Sequence, residues 1–151
     1  MKLLPILLIL VSLPGYAEED CVFDEAAYIS FIQQYSERNK HANIGPDAKT
    51  LRVSRNNEEI QVQGGGCVHL GVAIEVKTSQ SFTEKQFLQK TLDLANEFGD
   101  WLINTRKLKD SIEQGRYQKI DNTWLIEVDA MTVFSASYEN GKKMNIDFYI
   151  N

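Results

Sequence analysis

The stretch CVHLGVAIEVK, residues 67–77, decides the fold class. Val68, Leu70, Val72, Ile74 and Val76 alternate without a break against His69, Gly71, Ala73, Glu75 and Lys77. A period of two puts one set on a dry face and the other on a wet face, which is the mark of a half-buried strand. Such a strand needs antiparallel neighbours and a layer over its apolar side.

The neighbours follow on both sides. Leu51 and Val53 alternate with Arg52 and Ser54, and Ile60 and Val62 with Glu59, Gln61 and Gln63. Asn56-Asn57 between them is a two-residue turn, because asparagine tolerates positive φ. With Arg55 opposite Glu58, Val53 falls opposite Ile60 and Leu51 opposite Val62, so both apolar sets share one face. Further along, Trp124, Ile126, Val128, Ala130, Thr132, Phe134, Ala136 and Tyr138 fall on even positions, as do Met144, Ile146, Phe148 and Ile150. Parity there predicts a three-residue loop of Glu139, Asn140 and Gly141, with Phe134 opposite Ile146 and Ala136 opposite Met144.

The covering layer is helical. Asp24 as N-cap and Tyr28, Phe31, Ile32 and Tyr35 at helical spacing predict a helix over 24–38. Residues 39–47, with Gly45-Pro46, read as a loop. Thr83 and Gln86 form a capping box opening a helix over 83–106, with Leu88, Leu92, Ala95 and Leu102 beside Phe87, Leu94, Phe98 and Trp101 as a broad apolar stripe. A short helical piece over 108–114 ends at Gly115. The expected fold is α+β: an antiparallel meander sheet of about six strands, the long helix packed on one face, and a shorter N-terminal helix.

Residues 1–17 read as a secretory signal peptide. Lys2 supplies the positive start, residues 3–13 an apolar run too short to span a bilayer, and Gly15-Tyr16-Ala17 a small-residue cleavage site. This leaves 18–151 as a single domain, expected in the periplasm or outside a bacterial cell, with no membrane anchor. In that compartment Cys21 and Cys67 predict one disulfide, worth about 3–4 kcal/mol in the chain-entropy model, that ties the first helix to the sheet.

Function is less legible. The formal net charge of −5 becomes one unit more negative when Lys2 leaves. That argues against nucleic acid, which needs a basic footprint, and is compatible with a basic protein partner. No HExxH, CxxC, GxSxG or Gly-Lys-Ser/Thr motif is present, so no metal, cofactor or catalytic set is expected. A Cys67–His69 dyad fails because strand neighbours two apart are about 6–7 Å apart and Cys67 is expected in the disulfide. Glu58-Glu59, Glu127 and Asp129 are carboxylates on solvated positions. Gly64, Gly65, Gly66, His69 and Tyr149 are the candidate partner-binding residues, the glycines as a turn after the second strand. Residues 144–150 are a candidate edge strand for pairing with a second copy, the alternative being a monomer. The resulting expectation is a small exported non-enzymatic binding protein of inhibitor or immunity type, ahead of an envelope assembly factor and a small hydrolase.

Overall fold

The computed structural model describes residues 25–65 and 70–150. Three helices cover one face of an eight-stranded antiparallel sheet, so the fold is α+β. In chain order these are α1 (Glu25–Arg38), β1 (Ala42–Ile44), β2 (Thr50–Arg55), β3 (Glu58–Gly65), β4 (Leu70–Thr78), α2 (Glu84–Gly99), α3 (Thr105–Glu113), β5 (Tyr117–Ile120), β6 (Thr123–Glu127), β7 (Thr132–Glu139) and β8 (Lys143–Ile150).

The sheet order is β1-β2-β3-β4-β8-β7-β6-β5. Two four-stranded meanders therefore meet where β4 pairs β8. One inner row across the sheet reads Ala42, Val53, Ile60, Val76, Met144, Tyr138. A second, running the other way, reads Tyr117, Ile126, Phe134, Phe148, Val72, Gly64. The pairing scheme thus has an approximate two-fold axis through the Ile74–Ile146 pair. These rows and the buried faces of the helices make one core, whose largest members include Tyr28, Phe87, Phe98, Phe134 and Phe148. Each such side chain contributes about 1.5–3 kcal/mol by leaving water.

The first hairpin matches the register expected from the sequence: Arg55 opposite Glu58, Val53 opposite Ile60 and Leu51 opposite Val62. Asn56 and Asn57 both have positive φ, 49° and 60°, as a tight two-residue turn requires. The Thr83–Gln86 capping box is formed, with Thr83 N donating to Gln86 Oε1 at 2.9 Å. Gly115, at φ +68°, ends α3.

Four expectations are corrected. The sheet has eight strands rather than six, because β1, inside the expected loop 39–47, and β5 are strands as well. Both are short edge strands without apolar alternation, held by pairing to β2 and β6. The helix expected over 83–106 ends at Gly99, and the short helical piece expected over 108–114 begins three residues earlier, at Thr105. The chain turns at Gly99, whose carbonyl accepts from Leu102 N and Ile103 N, and Asn104 then caps α3 by accepting from Lys107 N. The last hairpin is shifted by two residues. Its loop is Asn140, Gly141 and Lys142, which puts Phe134 opposite Phe148 and Ala136 opposite Ile146. The Tyr138 hydroxyl holds that loop, donating to Asn140 Oδ1 and accepting from Gly141 N. A shift of two keeps every side chain on its expected face. Finally, residues 144–150 are not an edge. They form most of β8, paired on both sides, and the edges are β1 and β5.

Candidate functional site

With the helices on one side, odd-numbered residues of β3, β4, β7 and β8 point to the side of the sheet that no described element covers. Three rows run across it. The first reads Gly65, Gly71, Tyr149, Val133, Glu127. The second reads Gln63, Ala73, Asp147, Ser135, Leu125, Gln118. The third reads Arg52, Gln61, Glu75, Asn145, Ser137, Thr123, Ile120. The half built by β2–β4 is polar and charged. The half built by β5–β8 carries Ile120, Leu125, Val133 and Tyr149. Ile120 and Leu125 are 49% and 40% exposed, and Met131, in the β6–β7 connection, is 59% exposed. These three are the exposed large hydrophobics among the described residues.

A shallow depression of about 360 Å³ lies between the halves, lined by Gln63, Gly65, Gly71, Ala73, Asp147 and Tyr149 together with backbone of Gly64, Val72 and Phe148. A second one adjoins it over Gln61, Glu75, Ser137 and Asn145 and shares Gln63, Ala73 and Asp147. The floor is low because the side chains around Asp147 are small. Asp147 is an exposed position of β8, and the desolvation it does undergo moves its carboxyl upward, with no opposing charge to lower it. A β-carbon on Gly65 would meet nothing within 4 Å, whereas one on Gly71 would touch the Tyr149 Cβ at 3.0 Å.

The structure brings together Gly65 and Tyr149 of the sequence-predicted binding residues, one row apart from Asp147. Gly64 and Gly65 are corrected: both are strand residues of β3 rather than a turn, and it is Gly64 that faces the core. A β-carbon there would lie 2.7 Å from the Tyr28 ring, and the glycine is what lets that ring lie flat on the strand. The Tyr28 hydroxyl reaches the carbonyls of Lys49 and Val62, at 2.8 and 3.0 Å, and burial pushes its pKa up to about 12. Gly66, His69, Cys21, Cys67 and residues 1–17 lie outside the described residues.

Leu125, Val133, Ile120 and Asp147 were missed by the sequence reading. The first two carried a signal, since they are apolar residues on odd positions of strands whose core residues are even. An apolar residue on the wrong parity is the form in which an exposed apolar strip shows in a sequence.

The carboxylates considered from sequence do not converge. Glu58 points inward, 4% exposed, with Lys90 Nζ at 2.7 Å, while Glu59 points outward. Glu127 is on the uncovered face, and Asp129 accepts from Met131 N and Thr132 N in the β6–β7 connection. A second polar cluster joins Arg55, Glu97, Tyr35 and Asn39. Arg55 grips Glu97 with both guanidinium nitrogens, the Tyr35 hydroxyl donates to Glu97 Oε1 at 2.5 Å, and Asn39 Nδ2 donates to the Tyr35 oxygen. Burial raises the Glu97 carboxyl, but the Arg55 and Tyr35 hydrogen bonds outweigh it and the net direction is down. The Glu97 carboxylate is taken up by Arg55 and Tyr35. The cluster thus pins the β2–β3 hairpin to α2 and offers nothing to a substrate.

Among the described residues, no group of three or more His, Cys, Asp or Glu is placed to hold a metal ion, and no helix is long and apolar enough to cross a membrane. No family model, curated protein or solved structure matches this chain.

Proposed function

We propose that this chain is a small exported binding protein, acting without catalysis on a protein partner in the bacterial envelope, in the manner of an inhibitor or immunity protein. The observation that carries the reading is the β5–β8 half of the uncovered face. Sheet faces left to water are normally polar, as the other half is, and an apolar strip on one is the usual mark of a protein contact. The alternative of an assembly factor is favoured by the edge strand β5, whose outer backbone groups adjoin Ile120.

The Cys21–Cys67 disulfide belongs to the same proposal. The Tyr28 ring lies against Gly64, and the Glu25 carboxylate meets Lys49 Nζ at 2.8 Å, so the start of α1 sits over the end of β3. Cys67 follows Gly64 by three residues and Cys21 precedes Glu25 by four. At about 3.3–3.6 Å per extended residue, the two intervening stretches are long enough to allow the 4.4–6.8 Å Cα separation that a disulfide needs.

An affinity capture from envelope extract, run with the wild-type chain and with Leu125→Ser, tests the binding reading. One partner at near-equal stoichiometry, lost with Leu125→Ser, is the expected result. Capture of the same proteins by both chains removes the face from consideration. Thiol alkylation of the folded protein tests the disulfide: neither cysteine should label until a reductant is added, and labelling of both without one would sink it.

A further inference from the structure

We propose that the uncovered face at Leu125, Val133, Tyr149 and Asp147 takes an extended protein segment carrying an arginine or lysine between apolar side chains, with the cation on the Asp147 carboxylate. The inference rests on the binding reading above and names the chemistry of the partner.

The carboxylate is the first part of the argument. Asp147 stands between Ala73 and Ser135 on the two neighbouring strands, at the place where the two depressions meet. No lysine or arginine among the described residues pairs with it. The nearest acidic residue of the face, Glu75, already has Lys143 Nζ at 3.6 Å. An exposed carboxylate without a counter-charge, at a low place in the sheet, is open to an incoming cation and attracts it. Charge complementarity therefore selects a basic group, consistent with the acidic balance of the whole chain.

The apolar strip is the second part. Val133 and Tyr149 are direct cross-strand neighbours, and Leu125 lies one row on, beside Ser135. The strip and Asp147 are thus within one or two residues of each other, the spacing at which an extended segment presents successive same-side side chains. Near Tyr149, Gly65 pairs with Gly71, and the backbone at Gly65 has nothing within 4 Å of where a β-carbon would stand. Bare backbone lets another chain approach closely.

Other occupants fit less well. The depression is a low place in a sheet rather than a pocket with walls, and small ligands are held by pockets that bury most of their surface. A phosphate backbone would meet Asp147 as a like charge. A second copy docked on this face about a two-fold axis would bring two Asp147 carboxylates toward each other.

The test uses the folded chain without its leader and short strand-forming peptides of alternating valine and threonine, with arginine, glutamine or glutamate at one central position. Binding is followed through the backbone amide resonances. The arginine peptide should bind about ten-fold tighter than the glutamine peptide, and the glutamate peptide weakest of all. Shifts should centre on Ala73, Leu125, Val133 and Asp147. Asp147→Asn should abolish the arginine preference, and Leu125→Ser should weaken the arginine and glutamine peptides alike. Equal binding of the three peptides, no binding of any, shifts confined to β1–β3, or a preference that survives Asp147→Asn each overturns the proposal. Self-association with no peptide response assigns the face to a second copy and overturns it too. The binding reading fails separately: a captured partner that is lost with Leu125→Ser but kept with Asp147→Asn leaves that reading standing and this one fallen.

Discussion

The two halves of the sheet solve one packing problem in opposite ways. In the first half the ring comes from a helix and the glycine from a strand: Tyr28 of α1 lies on Gly64 of β3. In the second half the ring comes from a strand and the glycine from a helix: Phe148 of β8 fills the space at Gly99 of α2. The position related to Gly64 by the approximate two-fold is occupied by Tyr138, whose own ring stacks on Phe87. Aromatic volume at a helix–sheet contact is what both halves share. Which element supplies it is free, and that is why the halves share a pairing scheme without sharing sequence. Their outer faces differ as well: β2–β4 is polar and charged, whereas β5–β8 also carries Ile120, Leu125, Val133 and Tyr149.

The comparison can be broken at its strongest point first. Phe148→Ala removes the ring at the seam between the halves and should cost about 3–5 kcal/mol in chemical denaturation. A cost under about 1 kcal/mol would mean that α2 does not rest on that ring. Next come the glycines. Gly64→Ala should cost about 1–3 kcal/mol because its β-carbon meets the Tyr28 ring, while Gly65→Ala, one residue away on the open side, should stay within about 0.5 kcal/mol. Equal effects at the two positions would refute the ring-on-glycine account.

The ion network sharpens the comparison through pH. The Glu97 carboxyl is held below its ordinary value, so its contribution is complete above the unfolded pKa of about 4.3 and is lost as pH falls through the lower folded value. Glu97→Gln should cost about 2 kcal/mol near neutral pH and flatten that acid loss. A variant with the wild-type acid profile would exclude Glu97 as its source. Asp147 is the opposite case. Its carboxyl is raised, so the charged form is disfavoured in the folded protein and stability falls as pH rises through the folded value. Asp147→Asn should therefore leave the thermal midpoint at pH 7 unchanged or higher, and a lowered midpoint would mean the carboxylate holds the fold together. The smallest effect is expected at Leu125→Ser, within about 0.5 kcal/mol in stability, since that side chain is turned to water.

Much of the interior was legible in the sequence. Strict alternation fixed which residues of β2, β3, β4, β7 and β8 face the core, and Asn56-Asn57 fixed the first hairpin to the residue. What could not be read has physical causes. The edge strands β1 and β5 have too few residues for a period to show, and only their neighbours hold them. The break after Gly99 hides in a continuous apolar stripe, because Trp101, Leu102 and Ile103 keep packing on the core after the helix has ended. The last hairpin was misplaced by two because parity specifies the face and not the partner. At the candidate site, Gly65 and Tyr149 were read as contacts, but their meeting beside Asp147 depends on β4 pairing β8, and pairing across a central seam leaves no trace in local sequence.

That seam has a consequence for how the chain reaches its final form. β8 is the last strand in chain order and lies at the middle of the sheet. Without it, β4 and β7 would each present an unpaired row of backbone donors and acceptors, spaced to receive one more strand. Those are the edges a β8 from another molecule would also fit, in the same register and with the same core residues. An exchange of residues 143–150 between copies would therefore act at the centre of the sheet rather than at its edges.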